Sequence, residues 1–555
     1  MLIENRHPKY LDLLVKLPKK QRVDLLALQI EQDVNEEQLA LRAQAILEEI
    51  DWNRHAELLG KLSSELLPIE QLVPECYADW RSIVGEAVRF IGIRLRSQRL
   101  IPKLVEQLLL PEDTAIEQRL IRFISNMPSL QKLGQVIARN RNLEPAFRAA
   151  LTKLENEIRD IEPDKIKVII EQQLGSLLKK HKVKIENRIY AEASVSALLR
   201  FSWLNPQTNI KEQGVFKVLK PQLKKFFKEE MGLLQELADF LDTKKEQHAL
   251  NKVNLRAMFE DIGKLLEQEF DSEREIHNLK DAYNRYTNSK GVKIPQLFAT
   301  LSAPGVIAMS FEPGKKITDI SASNTAQRRV LSTHMVEAMI ARPLFDDAER
   351  AVFHADPHAG NLFVNEKTQE LLIFDWALTE HLSREERRKI ILLMSGVLLR
   401  DAHLITQAIC ELSEHNIKQD PVIHEALRAA IKPFINTLPF YKLPATKDVL
   451  SLLDNLMLSG INFSTPLLMF RKVLLTLDGV LHDLADAVSI ETVLSKYVID
   501  NLRYEACGLH YLPSHQQDFK IPITNNDALS IVLSAQWYYF RSVCQANAQW
   551  FNTGR

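Results

Sequence analysis

Through residues 1–130 apolar positions recur at helical spacing with charged residues between them, broken at Pro68, Pro74, Pro102 and Pro111. This pattern predicts an all-helical N-terminal region. It continues over 144–180, where EPAFRAALTKLENEIRDIEPDKIKVIIEQQLGSLLKKH predicts two amphipathic helices, the second ending near Gly175. The pattern changes over 181–220: HKVKIENRIYAEASVSALLRFSW and GVFKVLKP read as strands around a short Ala/Ser loop. Helical spacing returns over 222–243 and 252–287, and the strand-like runs VKIPQLFATLS and GVIAMSFEPG follow. Beyond residue 376 the chain reads as helical almost to its end. Strands gathered between 183 and 312, ahead of a helical half, predict an α+β fold with a small sheet lobe stacked on a helical lobe.

Composition narrows this only mildly. The 555 residues allow two to four domains at roughly 150 residues each. Only 17 Gly accompany long stretches rich in Leu, Ala, Glu, Lys and Gln, which favours helix. A formal net charge of −1 gives no nucleic-acid footprint. Cys76, Cys410, Cys507 and Cys544 stand at no metal-ligand spacing, so a reducing, cytoplasmic compartment is expected. The start, MLIENRHPKYLDLLVKLPKK, lacks the apolar core of a signal peptide. The longest apolar runs, Ile390–Leu399 and Ala528–Phe540, fall short of the roughly 18 residues a spanning helix needs. The segment Ala528–Phe551 carries Trp537, Tyr538, Tyr539, Phe540, Trp550 and Phe551. It reads either as a terminal helix packed on the helical lobe or as a peripheral membrane contact.

Candidate chemistry concentrates in FHADPHAGNLFVNEKTQELLIFDW, residues 353–376. Asp356 follows His354 by two positions, Asn361 follows Asp356 by five, and Asp375 ends the next apolar run. Kinases use this spacing. One Asp orients or deprotonates the acceptor, while an Asn and a second Asp hold magnesium on the nucleotide phosphates. Three oxygen-bearing side chains on adjacent loops suit a hard cation. His354 and His358 stand four apart, but Pro357 and Gly360 argue against the helix that a two-histidine zinc site would need.

The rest of a nucleotide site is fainter. Neither G-x-G-x-x-G nor G-x-x-x-x-G-K-[ST] occurs. The substitute phosphate loop is Ala191-Glu192-Ala193-Ser194, whose small side chains would let backbone N–H groups approach phosphate. Glu192 is expected to repel phosphate there. Lys217, in GVFKVL, resembles the strand lysine that contacts the α and β phosphates. Lys220 competes for that role but would point to the other face of an extended strand. Met309 and Phe311 are further nucleotide-contacting candidates. One acid among Glu267, Glu269, Asp271, Glu273 and Glu275 is expected to pair with Lys217. After Asp375 the chain runs through Trp376 and Ala377 into a helix opened by a Ser383/Glu386 capping box. This leaves no room for an activation segment.

At this point the sequence resembles the UbiB/AarF-type atypical kinases, a family linked to ubiquinone biosynthesis and isoprenoid-lipid handling. The likeness covers roughly residues 110–500. Lys132-Leu133-Gly134-Gln135 matches the family's K-x-G-Q. Ala191–Ser194 sits where the family has an Ala-rich loop. Glu269-Phe270-Asp271 matches E-x-D, and His354–Asn361 matches H-x-D-P-H-x-G-N. Glu275 and Asn278 stand where the family has E-A-x-N, which implies Glu275 as the partner of Lys217. The family's D-F-G is Asp375-Trp376-Ala377 here, so the glycine hinge is missing. The resemblance implies a bilobal protein-kinase-like fold that binds ATP and Mg²⁺. It also implies that Lys132, Gly134 and Gln135 fold over the pocket where a protein substrate would sit, with Glu269 and Asp271 in the same regulatory extension. That favours ATP hydrolysis or phosphotransfer to a small molecule or lipid, with an isoprenoid or quinone-like partner.

The expected organisation is a helical region at 1–110, the K-x-G-Q extension at 111–182, an N-lobe at 183–315, a C-lobe at 316–500 and a helical tail at 501–555. Two other readings stand beside the enzyme of quinone metabolism. One is a nucleotide-gated binding or scaffold module. The other is a phosphotransferase of the aminoglycoside/choline kinase kind, which shares H-x-D-x-x-x-x-N and a D-W.

Overall fold

A computed structural model describes residues 15–553 apart from 16, 29–35, 112, 139–143, 146, 148–150, 152–160, 194, 207, 222, 245–254, 321–324, 415–416, 418–419, 439–443, 460, 485–487 and 498–521. The chain divides into two compact units: residues 1–274 with 298–311, and residues 275–297 with 312–555.

The strands, in chain order, are β1 (Lys184–Glu192), β2 (Ser196–Leu204), β3 (Lys211–Leu219), β4 (Val292–Lys293), β5 (Val306–Ser310), β6 (Lys315–Lys316), β7 (Arg350–His354), β8 (Leu362–Val364), β9 (Leu371–Ile373) and β10 (Thr379–Ser383). Of the helices, those that position candidate residues are α1 (Pro128–Ala138), α2 (Pro163–Lys180), α3 (Leu223–Asp242), α4 (Leu255–Glu269), α5 (Ser272–Tyr286), α6 (Arg384–Leu398), α7 (Ala402–Leu412), α8 (Thr465–Asp483) and α9 (Asn525–Thr553).

In the first unit β1, β2, β3 and β5 form one antiparallel sheet in that order. One face is covered by α2: Ile166, Ile170 and Leu174 bury against Ala197, Leu199, Phe201, Phe216, Val218, Val306 and Ala308. Gly214 is required in β3, since a Cβ there would stand 2.4 Å from the Phe201 ring. A second core joins the N-terminal helices to α3 and α4, with Leu100, Ile101, Phe123 and Met127 in one cluster with Leu234, Leu237, Phe259 and Leu266. The N-terminal helical region is therefore part of the packing that supports α3 and α4.

Two expectations for this part need correction. Helix α2 does not stop near Gly175 but runs on to Lys180. A Cβ at Gly175 would meet nothing, and Lys179 and Lys180 suit the negative end of the helix dipole. The single helix expected over 252–287 is two. The break falls at Phe270–Asp271, where the Asp271 carboxylate accepts the Arg274 amide (3.0 Å) and Ser272 Oγ accepts the Gly305 amide (2.8 Å).

In the second unit β4, β9, β8 and β6 form a small mixed sheet, and β7 pairs with β10. The run VKIPQLFATLS contributes only the two residues of β4 and a turn of 3₁₀ helix at Ala299–Leu301. The stretch after Asp375 also does more than lead into a helix: Thr379–Ser383 returns as β10, with Thr379 opposite His354 and Ser383 opposite Arg350. The Ser383/Glu386 capping box is present at the start of α6. Arg387, fully buried one turn into α6, donates to the carbonyls of Asp346 and Ala348 and so holds the loop that feeds β7. Among the described residues no helix is long and apolar enough to cross a membrane.

Candidate active site

In the second unit the candidates are held by backbone geometry. Strand β7 delivers His354, and the turn after it carries Asp356, Pro357 and His358. His354 is buried and both its ring nitrogens are engaged. Nε2 lies 3.1 Å from the Phe374 carbonyl, and Nδ1 accepts the Asp356 amide at 3.2 Å. A carbonyl only accepts, so the proton is on Nε2 and the ring is neutral. Burial pushes the His354 pKa down from 6.5, with the Phe374 carbonyl the main opposing influence. The Trp376 ring closes edge-on at 5.0 Å. His354 thus ties the Asp356 turn to the Asp375 turn, and neither nitrogen is presented to a metal.

Asn361 repeats this tie. Its amide nitrogen donates to the Asp356 carbonyl (3.2 Å), and its own carbonyl accepts the Phe374 amide (2.9 Å). The β8–β9 hairpin, with Leu362 opposite Ile373, brings Asn361 beside the residues that precede Asp375. Asp375 is exposed and has a left-handed backbone, φ +56°. Asp tolerates that conformation better than most residues. No left-handed residue is needed at the position of the missing glycine: the left-handed residue is Asp375 itself, while Ala377 is ordinary and buried. Asn278 Nδ2 donates to the Trp376 carbonyl at 3.0 Å, so the last residue of the family's E-A-x-N fastens the same loop. Glu275 is buried on α5 one turn before Asn278. With the Asn361 nitrogen spent on Asp356, its oxygen is the atom it can offer a cation. An amide oxygen and a carboxylate form a donor set that fits magnesium.

Asp356 is 5% exposed. Its Oδ1 lies 3.2 Å from Nζ of Lys472, and its Oδ2 lies 3.9 Å from Nε2 of His358. Lys472 comes from α8, far downstream, and sequence reasoning missed it. No local spacing links it to the motif.

In the first unit the register sorts the candidates by face, because directly opposed residues of an antiparallel pair share one. Lys217 stands opposite Leu198 and Ile307, Leu198 opposite Ala191, and Val215 opposite Met309. Ala191, Lys217 and Met309 therefore lie together on the face that α2 does not cover. Phe311 continues this side, with the Arg200 guanidinium 4.2 Å from its ring centre and Tyr190 edge-on at 5.4 Å. Glu192 stands opposite Ala197 and so lies on the α2 face. There it is buried in an ion pair with Lys220, at 2.7 Å. The expectation that Glu192 would repel phosphate, and that Lys220 would compete with Lys217, is corrected by this pairing. The Ala193 amide donates to the Ser196 carbonyl (2.8 Å), closing the β1–β2 turn, so that amide is not presented to a ligand. Ser194 lies outside the described residues.

The K-x-G-Q segment sits on α1. Lys132 Nζ pairs with Glu269 at the end of α4, and Gly134 is buried. The helix is fixed at its start by Glu230 of α3, which accepts the Ser129 amide at 2.8 Å and is held by Arg99. Burial raises the Glu230 pKa against the pull of Arg99. Gln135 lies in α1, but its side chain is outside the described residues. The structure thus brings the first residues of K-x-G-Q and E-x-D together. Asp271, exposed, instead caps α5.

The fold and these motifs define a kinase-like α+β protein. Residues 153–409 match the ABC1 atypical kinase-like domain. The chloroplastic protein ACTIVITY OF BC1 COMPLEX KINASE 7 of Arabidopsis thaliana is 27% identical over 288 residues, covering 51% of this chain and 40% of that protein. The probable protein kinase UbiB of Haemophilus ducreyi is 24% identical over 355 residues, covering 63% of this chain and 64% of that protein. The solved complex of Rv3197 with erythromycin from Mycobacterium tuberculosis aligns with a TM-score of 0.45 at 17% identity, covering 69% of this chain and 96% of that one. Over the matched stretch the chain is similar to the UbiB/AarF-type atypical kinases. Its match spans less than two thirds of the length of these curated relatives.

Proposed function

We propose that the protein binds ATP with magnesium and either hydrolyses it or transfers its γ-phosphoryl group to a small molecule or lipid. The observation that carries this reading is the locked Asp356–Asn361–Asp375 arrangement, in which His354 and Asn361 tie the base-bearing turn to the metal-bearing one. Asn361 and Asp375 would hold the ion, which neutralises phosphate charge when bound. Asp356 positions or deprotonates the acceptor. Lys217 takes the phosphates, and Ala191, Met309 and Phe311 line the nucleotide's face of the sheet. The Lys132–Glu269 pair anchors the regulatory extension, and β10 stands where an activation segment would otherwise leave the Asp375 loop. Both features favour a small acceptor over a protein. ATP turnover by purified protein with magnesium tests the reading. Asp356→Ala should keep nucleotide affinity and lose turnover by roughly 10²–10⁴-fold. Turnover within a factor of two of wild type would remove Asp356 from the chemistry.

A lipid contact in quinone or isoprenoid metabolism rests on α9. One side of this helix packs on the second unit: Asp527 pairs with Arg388 (2.9 Å), Ser534 Oγ donates to Asp401 (2.6 Å) and Tyr538 meets Arg400 (2.5 Å). The other side leaves Leu529, Val532, Leu533, Trp537 and Phe540 exposed, a stripe that fits an interfacial helix. Flotation with anionic liposomes should carry the full chain upward and leave a truncation after Asp527 behind. A full-length protein that never floats ends this reading.

A further inference from the structure

The Lys472–Asp356 contact lies inside the proposed site, yet none of the motifs accounts for it. Helix α8 is fixed against the strand that carries the site. Its Phe470 packs edge-on to Phe353 of β7, with ring centres 5.5 Å apart, and both rings are 1% exposed. Ser464, just before α8, donates to Glu386 of the capping box at 3.1 Å. Leu467, Val473 and Leu477 bury the same helix along its length. Because Phe353 and Phe470 are locked, Lys472 arrives at Asp356 by register. Its neighbour Arg471 pairs with Asp454 instead.

Two features separate Lys472 from an ordinary core counter-ion. Its side chain keeps 23% of its exposure while the carboxylate it meets keeps 7%, so the lysine is the more accessible partner of the pair. It also meets the carboxylate at Oδ1, while Oδ2 lies 3.9 Å from Nε2 of His358. Phosphoryl transfer spreads charge over the three equatorial oxygens of the moving group, and cations aimed at that charge lower the barrier. An ammonium has three donors, so it can bridge a carboxylate and a phosphoryl oxygen at once.

We propose that Lys472 is a catalytic cation of the site, bridging Asp356 and the transferred phosphoryl group. This rests on the phosphotransfer reading above. In the step, the acceptor oxygen of a hydroxyl or water forms a bond to the γ-phosphorus. The bond from that phosphorus to the β–γ bridging oxygen breaks, and its electron pair leaves with ADP. The acceptor proton goes to the Asp356 carboxylate. Lys472 stays protonated and neutralises the charge on the moving group, so its contribution falls on the chemical step and not on nucleotide binding.

The test compares wild type, Lys472→Met, Lys472→Arg and Arg471→Gln by calorimetry with Mg-ATP, by kcat and KM for ATP, and by Tm. Lys472→Met should lower kcat by roughly 10²-fold with affinity and KM near wild type. Lys472→Arg should recover much of the loss, and Arg471→Gln should leave kcat unchanged. With Lys472→Ala, added methylammonium should raise kcat, a rescue that a packing defect would not show. If Lys472→Met fails to fold, the arginine and alanine variants carry the same comparison. Unchanged kcat in Lys472→Met, an equal fall in Arg471→Gln, or no methylammonium rescue would overturn the proposal while the wild type still binds and turns over Mg-ATP. A wild type that binds no Mg-ATP would fell the phosphotransfer reading itself, and this proposal with it.

Discussion

The two faces of the first unit's sheet carry a lysine each, and the two lysines have opposite surroundings. Lys220 is buried, ion-paired with Glu192 on the side covered by α2. Lys217 lies on the side left to Ala191, Met309 and Phe311. Only three positions separate them, yet strand alternation puts one into the core and the other on the face assigned to nucleotide. Position within a loop motif therefore says little about which groups a ligand meets. Glu192 sits in the middle of the Ala-rich run, but its carboxylate belongs to the core.

Substitutions on the two faces should separate accordingly. Glu192→Ala leaves Lys220 buried without its partner, which costs about 3–5 kcal/mol. A large fall in Tm with unchanged Mg-ATP affinity per folded molecule is expected. Lys217→Met should do the reverse, weakening Mg-ATP binding or turnover by roughly 10²-fold at nearly constant Tm. If Glu192→Ala tightens or weakens nucleotide binding as much as Lys217→Met does, the division of the sheet into a structural and a binding face is wrong. A smaller effect is expected away from the sheet. Lys132→Ala breaks the pair with Glu269 and should shift ATP turnover by a few-fold, or unmask autophosphorylation visible with radiolabelled ATP. A folded variant with the wild-type ATP profile and no autophosphorylation would count against the regulatory extension.

What could be read in advance follows from how each part is built. The second unit's candidates lie within one short stretch, and their spacing encodes two turns joined by a hairpin, so His354, Asp356, Asn361 and Asp375 were legible as a group. The strands β1 to β3 were legible from apolar runs and turn residues. The end of α2 was not, because Gly175 is tolerated inside a helix whose apolar positions continue on both sides of it. The break before α5 depends on the Asp271 cap and on the bond between Ser272 and Gly305, a contact across the fold that no local pattern shows. Strand β10 has only a weak alternation in Thr-Glu-His-Leu-Ser and is defined by its partner β7. Lys472 reaches Asp356 only through the packing of Phe470 on Phe353.

The central claim is that Asn361 and Asp375 hold magnesium on a nucleotide. Calorimetric titration of ATP into wild type and Asp375→Asn, each with magnesium and with chelator, tests it most directly, since asparagine also accepts the left-handed backbone at 375. The account predicts that magnesium raises wild-type affinity by about tenfold or more, equivalent to roughly 1.4 kcal/mol, and that this gain disappears in Asp375→Asn. An equal magnesium-dependent gain in both proteins would contradict it.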